Sequence, residues 1–189
     1  MFLMTEPVRT LAAESRTELS LREVVRTHKR AVYFLALDLT GNHHDAEDLS
    51  QEVFIKAHKG LHRFRGESGL YTWLRRIAIN THLNKRRKKA LSMMRFFGDD
   101  DAASDTVSDQ MSPAESAEGA VLRSHIDRAM ERLSPRERTA FVLRHHHDMS
   151  IQDVASDMDV SDGTVKSLLF RATRKLRDEL AFLRETPSA

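Results

Sequence analysis

The chain has 189 residues, 30 Lys or Arg against 28 Asp or Glu, and no cysteine, which leaves room for one ordinary domain or two small ones. Without cysteine it has neither a disulfide framework nor a thiolate zinc site, and this fits a reducing cytoplasm. No run approaches the roughly 18 apolar residues of a membrane span, and the start MFLMTEPVRT has no basic segment leading into a long apolar one, so a cytoplasmic chain with no membrane insertion is expected. Glycine and proline are scarce, at 7 and 4, and alternating strand patterns are absent. Helical periodicity recurs in nearly every segment, which predicts an all-α fold with helices over 18–38, 44–61, 70–89, 118–132, 135–147, 151–158 and 162–183.

Charge divides the chain more sharply than its total suggests. From Leu61 to Lys89 nine Lys or Arg face the single acid Glu67, a polyanion-binding signal. From Leu91 to Ala117 six acids face Arg95 alone, among Gly98, Pro113 and several serines, with little apolar periodicity. The expected organisation is therefore a first helical domain over 18–90, a flexible acidic linker over 91–117, and a second small helical domain over 118–184 that carries a helix-turn-helix.

In the first domain, DAEDLSQEVFIKAHKGL (45–61) places Ala46, Leu49, Val53 and Ala57 on one helical face and Asp45, Asp48 and Glu52 on another, with Gln51 alongside. Stacked carboxylates repel one another, and either a cationic partner surface or a solvated face near the helix N-terminus relieves that. Downstream, Phe64, Tyr71 and Trp73 lie among cations near the Gly-containing loop Arg65 to Leu70. Aromatic rings interleaved with Lys and Arg suit unpaired bases and their phosphates, and such a loop can receive a base drawn out of the duplex. Trp73, at helical spacing with Leu70, Leu74 and Ile77, is expected in the core. Asn80, just ahead of a basic run, has an amide suited to base edges.

In the second domain, residues 150–177 read as two helices joined by a tight turn. Ser150 is the expected N-cap of the first, with Asp153 as its partner, and Ile151, Val154, Ala155 and Met158 form the apolar stripe. Ser161 caps the second. Behind it Val165, Leu168 or Leu169, Ala172 and Leu176 recur at helical spacing, leaving Lys166, Arg171, Arg174, Lys175 and Arg177 for other faces. Such a helix packs on one side and meets an anion on the other. Two other readings compete. His43 and His44 before Asp45 and Asp48, with His145 to His147 before Asp148, suggest a metal-dependent hydrolase, but consecutive imidazoles on a helix diverge by about 100° and neither cluster forms an HExxH pattern. A repressor with a dimerising first domain is the second.

Four stretches in order, DAEDLSQEVFIKA, FRGES with YTWLRRIAIN, LSPRERTAFVLR and GTVKSLLFRA, resemble the extracytoplasmic-function (ECF) sigma factors of bacterial RNA polymerase over nearly the whole chain. The resemblance implies core RNA polymerase and promoter DNA as partners, and regulation by an anti-sigma factor is frequent in that family. It places Asp45, Asp48, Gln51 and Glu52 on the polymerase-binding helix. Phe64, Arg65, Gly66, Glu67, Ser68, Gly69 and Leu70 then form the loop that captures a flipped base of the melted downstream (minus ten) element, with Asn80, Lys85 and Arg86 as further contacts. Ser161, Thr164, Lys166, Ser167, Phe170, Arg171 and Arg174 meet the upstream (minus thirty-five) element as duplex, and the acidic linker resembles the segment that runs towards the RNA exit path. The sequence departs from the family at His58, where Trp is common, at Asn84 for Asp, at Leu168 for Arg and at Asp159 for Gly. Leu168 either meets a thymine methyl or packs inward. No nucleophile–base arrangement and no Gly-rich phosphate loop stand out, so no catalytic residue, cofactor or metal is expected.

Overall fold

The computed structural model describes residues 20–97 and 117–184. Within them the chain is all-α, with helices α1 (Leu21–Thr40), α2 (His43–Gly60), α3 (Leu70–Phe97), α4 (Ala117–Glu131), α5 (Pro135–His145), α6 (Ile151–Met158) and α7 (Asp162–Glu179). Short 3₁₀ turns follow α2, over Leu61–Arg63, and α7, over Ala181–Arg184.

The first bundle is α1 to α3. Val24, Val32, Leu35, Ala36 and Leu39 of α1 bury one face against Ala46, Leu49, Val53 and Ala57 of α2 and Leu74, Ala78 and Ile79 of α3. Burial of each large aliphatic side chain contributes about 1.5–3 kcal/mol, which is the main term holding the bundle. The α1–α2 hairpin is tight because Gly41, at φ 84°, closes α1 in the left-handed conformation, and its N–H bonds the Leu37 carbonyl. Asn42 starts α2 at once, its side chain accepting from the Asp45 N–H at 2.8 Å and donating to the Asp45 carboxylate at 3.0 Å.

Helix α3 continues to Phe97, seven residues into the stretch expected to be linker. Lys85 to Ala90 are strong helix formers, and a helix of such residues needs little packing to persist. Residues 98–116, the remainder of the expected acidic linker, lie outside the described residues.

In the second bundle α5, α6 and α7 pack around Val142, Leu143, Val154, Val165, Leu168 and Ala172, with Ala129, Met130 and Leu133 at the end of α4. Ser134 and Glu137 form a full capping box at the start of α5, with Pro135 in the first turn. Ser150 caps α6 by accepting from the Asp153 N–H at 3.1 Å. Asp159 ends α6 at φ 53°, a conformation that Asp adopts more readily than most residues. Ser161 then caps α7, accepting from the Thr164 N–H at 3.2 Å.

The bundles also touch each other. Asp157 of α6, 2 % exposed, lies between Arg75 and Arg76 of α3. Asp38 of α1 meets His147 at 3.0 Å and His146 at 3.8 Å. The Arg138 guanidinium of α5 packs so closely on Gly41 that a Cβ there would overlap it.

The buried carboxylate of Glu137 ties the second bundle together: it accepts from the Ser134 N–H at 2.9 Å, from Lys175 at 2.8 Å, and pairs with Arg171 at 3.3 Å. Burial by itself raises its pKa, but the bonds from Lys175 and Ser134 outweigh that and hold it below 4.5. A carboxyl that titrates lower folded than unfolded contributes stability above pH 4.5 and loses that contribution as the pH falls further. Glu137→Ala removes the reciprocal half of the α5 cap and two partly exposed ion pairs, and is therefore expected to destabilise the chain by about 1.5–3 kcal/mol in denaturant unfolding at neutral pH. The parent's advantage over the variant should shrink when the same unfolding is measured below pH 4.5, and an advantage independent of pH would show that the charge of Glu137 contributes nothing.

Candidate nucleic-acid interface

The loop between α2 and α3 is built on aromatic packing. After the 3₁₀ turn, Phe64 leans on Trp73 with ring centroids 5.2 Å apart, and Trp73 in turn lies against Gly60. Trp73 is half-buried at the edge of the core, as its spacing predicts. Gly66, at φ 73°, turns the chain, and the Trp73 N–H bonds the Gly69 carbonyl at 3.1 Å to begin α3. Phe64, Ser68 and Leu70 are half-buried, whereas Arg65, Gly66, Glu67 and Gly69 stand in solvent. The Arg65–Glu67 pair at 3.8 Å is exposed on both sides and contributes little. Asn80 is also exposed.

The three acids expected on one face of α2 meet different environments, and the fourth acid of the helix, Glu47, is exposed. Asp45 is half-buried and spent on the α2 cap. Glu52 pairs with Lys56 at 2.9 Å and with Lys85 of α3 at 3.1 Å. The bond from Lys56, reinforced by Lys85, holds its carboxyl below the ordinary value despite some burial. The cationic surface that relieves the stacked acids is thus supplied in part by the chain's own α3. Asp48 and Gln51 remain exposed. Gln51 lines an open, largely apolar groove of about 500 Å³ between α1 and α2, with Val25, Tyr33, Phe34 and Phe54 on its walls.

Arg86 and Lys85 line a small pocket of about 130 Å³ with Thr40, Asp45 and His82. His82 is 4 % exposed. Burial first, then the guanidinia of Arg86 and Arg138, push its pKa down from 6.5 to about 4. No sequence pattern marked this histidine, whose neighbours Arg86 and Arg138 come from different bundles.

On α7 the predicted residues divide by orientation. Ser161 and Thr164 bond each other at 2.9 Å and serve the helix start. Lys166, Ser167, Phe170, Arg171 and Arg174 are exposed, and Phe170 keeps 70 % of its surface in water. Ser167 donates to the Gly163 carbonyl at 2.9 Å. Arg171 differs from its neighbours because its Nε faces Glu137, which makes it a brace between α5 and α7 as well as a surface cation. Leu168, 3 % exposed, packs inward, which decides between its two expected roles.

Sequence reasoning passed over Arg75, Arg76 and Asp157. The Arg75-Arg76 pair on a basic helix was a visible signal, but its partner lies some eighty residues away. The histidine clusters go to different places: His43 stacks on Tyr33, His145 lies against Phe141, and His146 and His147 face Asp38.

Comparison with known proteins gives a consistent picture. Residues 24–91 match the family model for sigma-70 region 2, and residues 123–176 match that for sigma-70 region 4. The chain is 39 % identical over 141 residues to the RNA polymerase sigma-H factor of Pseudomonas aeruginosa, covering 68 % of this chain and 69 % of that protein. It is 33 % identical over 141 residues to the ECF RNA polymerase sigma-E factor of Escherichia coli K12, covering 72 % and 74 %. Among solved structures, the sigma factor RpoE of Bartonella quintana, in complex with the anti-sigma factor NepR, is similar with a TM-score of 0.68 at 25 % identity, over 85 % of this chain and 96 % of that one.

The environment of His82 makes a measurable prediction. An imidazole that titrates near 6.5 unfolded and near 4 folded leaves the unfolded chain binding more protons between those values. Stability should then fall as the pH drops through that window, with a slope of up to about 1.4 kcal/mol per pH unit from this group. His82→Leu should flatten the unfolding free energy across the window relative to the parent, and identical slopes in the two chains would mean that His82 is not held neutral.

Proposed function

Because the chain belongs to the extracytoplasmic-function family of RNA polymerase sigma factors, we propose that its two bundles divide promoter recognition, α7 reading the upstream element as duplex and the α2–α3 loop holding the downstream element once it is melted. Members of this family are transcription-initiation factors and not enzymes, and the chemistry is the polymerase's. The partners are accordingly core RNA polymerase and promoter DNA, in the cytoplasm. NepR on the Bartonella relative supports expecting an anti-sigma factor as well.

The observation that carries the reading is the outer face of α7. Lys166, Ser167, Phe170 and Arg174 all stand in solvent on the second helix of a helix-turn-helix, while Leu168 and Ala172 anchor its opposite side. The Phe170 ring offers an apolar contact for a thymine methyl, and cations beside it suit phosphates and base edges of a major groove. For the downstream element, support comes from the solvent-facing loop tip held on the Phe64–Trp73 base, with Asn80 and the cations of α3 beyond it. Arg65, Gly66, Glu67, Ser68, Gly69 and Leu70 form the pocket for an unpaired base in this reading, and Lys85 and Arg86 meet phosphate.

For polymerase binding, Asp48 is the exposed acid among the three acids expected on this face, while Glu47 and Gln51 line the apolar groove. Asp48→Lys is expected to weaken affinity for core enzyme by about tenfold or more without changing thermal melting, as for loss of a charged interfacial contact. Glu52→Lys should lower the melting temperature too, since it sets a third ammonium beside Lys56 and Lys85. Undiminished core affinity in a folded Asp48→Lys chain would remove this helix from the interface.

The division of labour is tested at the loop. Gly69 has ordinary backbone torsions and room for a Cβ, 3.8 Å from Thr72 Oγ1, so replacing Glu67 to Gly69 by alanines leaves the Gly66 turn intact. Transcription from closed duplex should fall far more than from a template already mismatched across the downstream element, where the unpairing cost of a few kcal/mol has been removed. Equal losses on both templates, or none on duplex, would contradict it, and upstream footprinting should be unchanged.

A further inference from the structure

Glu137 uses its two carboxylate oxygens differently. Oε2 accepts from the Ser134 N–H at 2.9 Å and from Lys175 Nζ at 2.8 Å, while Oε1 faces Arg171 Nε at 3.3 Å. One oxygen serves the α5 cap and a brace to α7, and the other is given to a cation that reaches solvent. Burial is lopsided across that second pair: the Glu137 side chain is 6 % exposed and that of Arg171 56 %. The carboxylate is thus a fixed point within the bundle, and the guanidinium extends from it into water. The bonds from Lys175 and Ser134 hold the Glu137 pKa below 4.5, so the group is charged at neutral pH. A guanidinium carries five N–H donors in a planar fork, and engaging Nε leaves both terminal nitrogens for a second acceptor. Lys166 and Arg174 of the same helix stand in solvent, with no ion pair to either among the described residues.

We infer that Glu137 is a positioning residue for duplex recognition, holding the Arg171 guanidinium so that its terminal nitrogens meet one base edge of the upstream element and do not swing to a phosphate. This rests on reading α7 as the duplex reader. A free arginine pairs with phosphate on any sequence, and that contact does not distinguish bases. A tethered one has a single place to bind, and where the base edge lacks matching acceptors its donors lose water and gain nothing. The tether therefore turns a charge contact into a sequence-dependent one, and the rotamer freedom of Arg171 is lost before DNA arrives. Lys166 and Arg174, which have no tether, keep the phosphate role. Arg171 and Lys175, four residues apart, share the face of α7 that is turned to Glu137.

Glu137→Gln separates the two oxygens. With its carbonyl oxygen kept toward the Ser134 N–H and Lys175, the amide sets an NH2 against Arg171 Nε, donor against donor, while Gln still completes a capping box. The full chain bound to core enzyme is tested by competition between a matched upstream duplex and duplexes with one base pair changed at each position in turn. Arg171→Ala is expected to lose about five- to a hundredfold of discrimination at one position, which marks the base pair that Arg171 reads. Glu137→Gln should lose about two- to tenfold at that same position and none elsewhere, as for a side chain that must now be ordered on binding. In an Arg171→Ala background the Gln substitution should change no position. Lys175→Ala removes the other cation of the brace and should keep full discrimination, which tells loosening of the bundle apart from loss of positioning. In the unaltered chain free of DNA, the Arg171 Nε–H should be more ordered in NMR relaxation than the Arg174 Nε–H, a measurement that holds even where Glu137→Gln melts early. Full discrimination in Glu137→Gln, a loss spread evenly over all positions, an equal loss in Lys175→Ala, or equal order at the two arginines would each overturn the inference. If Arg171→Ala changes no position, the duplex reading of α7 fails and takes the inference with it.

Discussion

Asp157 decides how the two bundles meet. A carboxylate removed from water costs several kcal/mol unless cations and hydrogen-bond donors replace the lost solvent. It is buried where it meets Arg75 and Arg76. The contact therefore conserves charge pairing rather than adding a large net stabilisation.

Glu137 follows the same electrostatic logic with a different outcome. It too is buried and faces two cations, but both come from α7 of its own bundle, and its other oxygen contact completes the α5 cap. No outside anion can replace it without unfolding that cap. Arg171 is therefore held from behind at the time its neighbours on α7 face solvent, which sets the orientation of its guanidinium before any DNA arrives. Preorganised side chains lose less freedom on binding than free ones do.

Local chemistry made much of this legible from sequence. The caps at Ser150 and Ser161 and the left-handed Asp159 involve partners three or four residues away, so the pattern contains both members, and the capping box of Ser134 and Glu137 had the same local signal unread. The apolar stripes of α2, α6 and α7 were readable for the same reason. What could not be read were pairings across elements: Glu52 with Lys85, Glu137 with Arg171 and Lys175, and Asp157 with Arg75 and Arg76. Each charge looks like solvated surface in one dimension, and only the fold supplies its counter-charge. The end of α3 was misplaced for a related reason, because a run of Lys and Arg signals both a binding surface and a good helix, and the composition that follows suggested a linker too early.

These pairings leave two surfaces unequal. The outer face of α7 stands in solvent, while Arg75 of α3 is covered in part by α6. The proposed division of promoter recognition assigns duplex to the first of these surfaces and the unpaired strand to the α2–α3 loop. Once α7 is anchored upstream, the α2–α3 loop is held near the downstream element at a raised effective concentration.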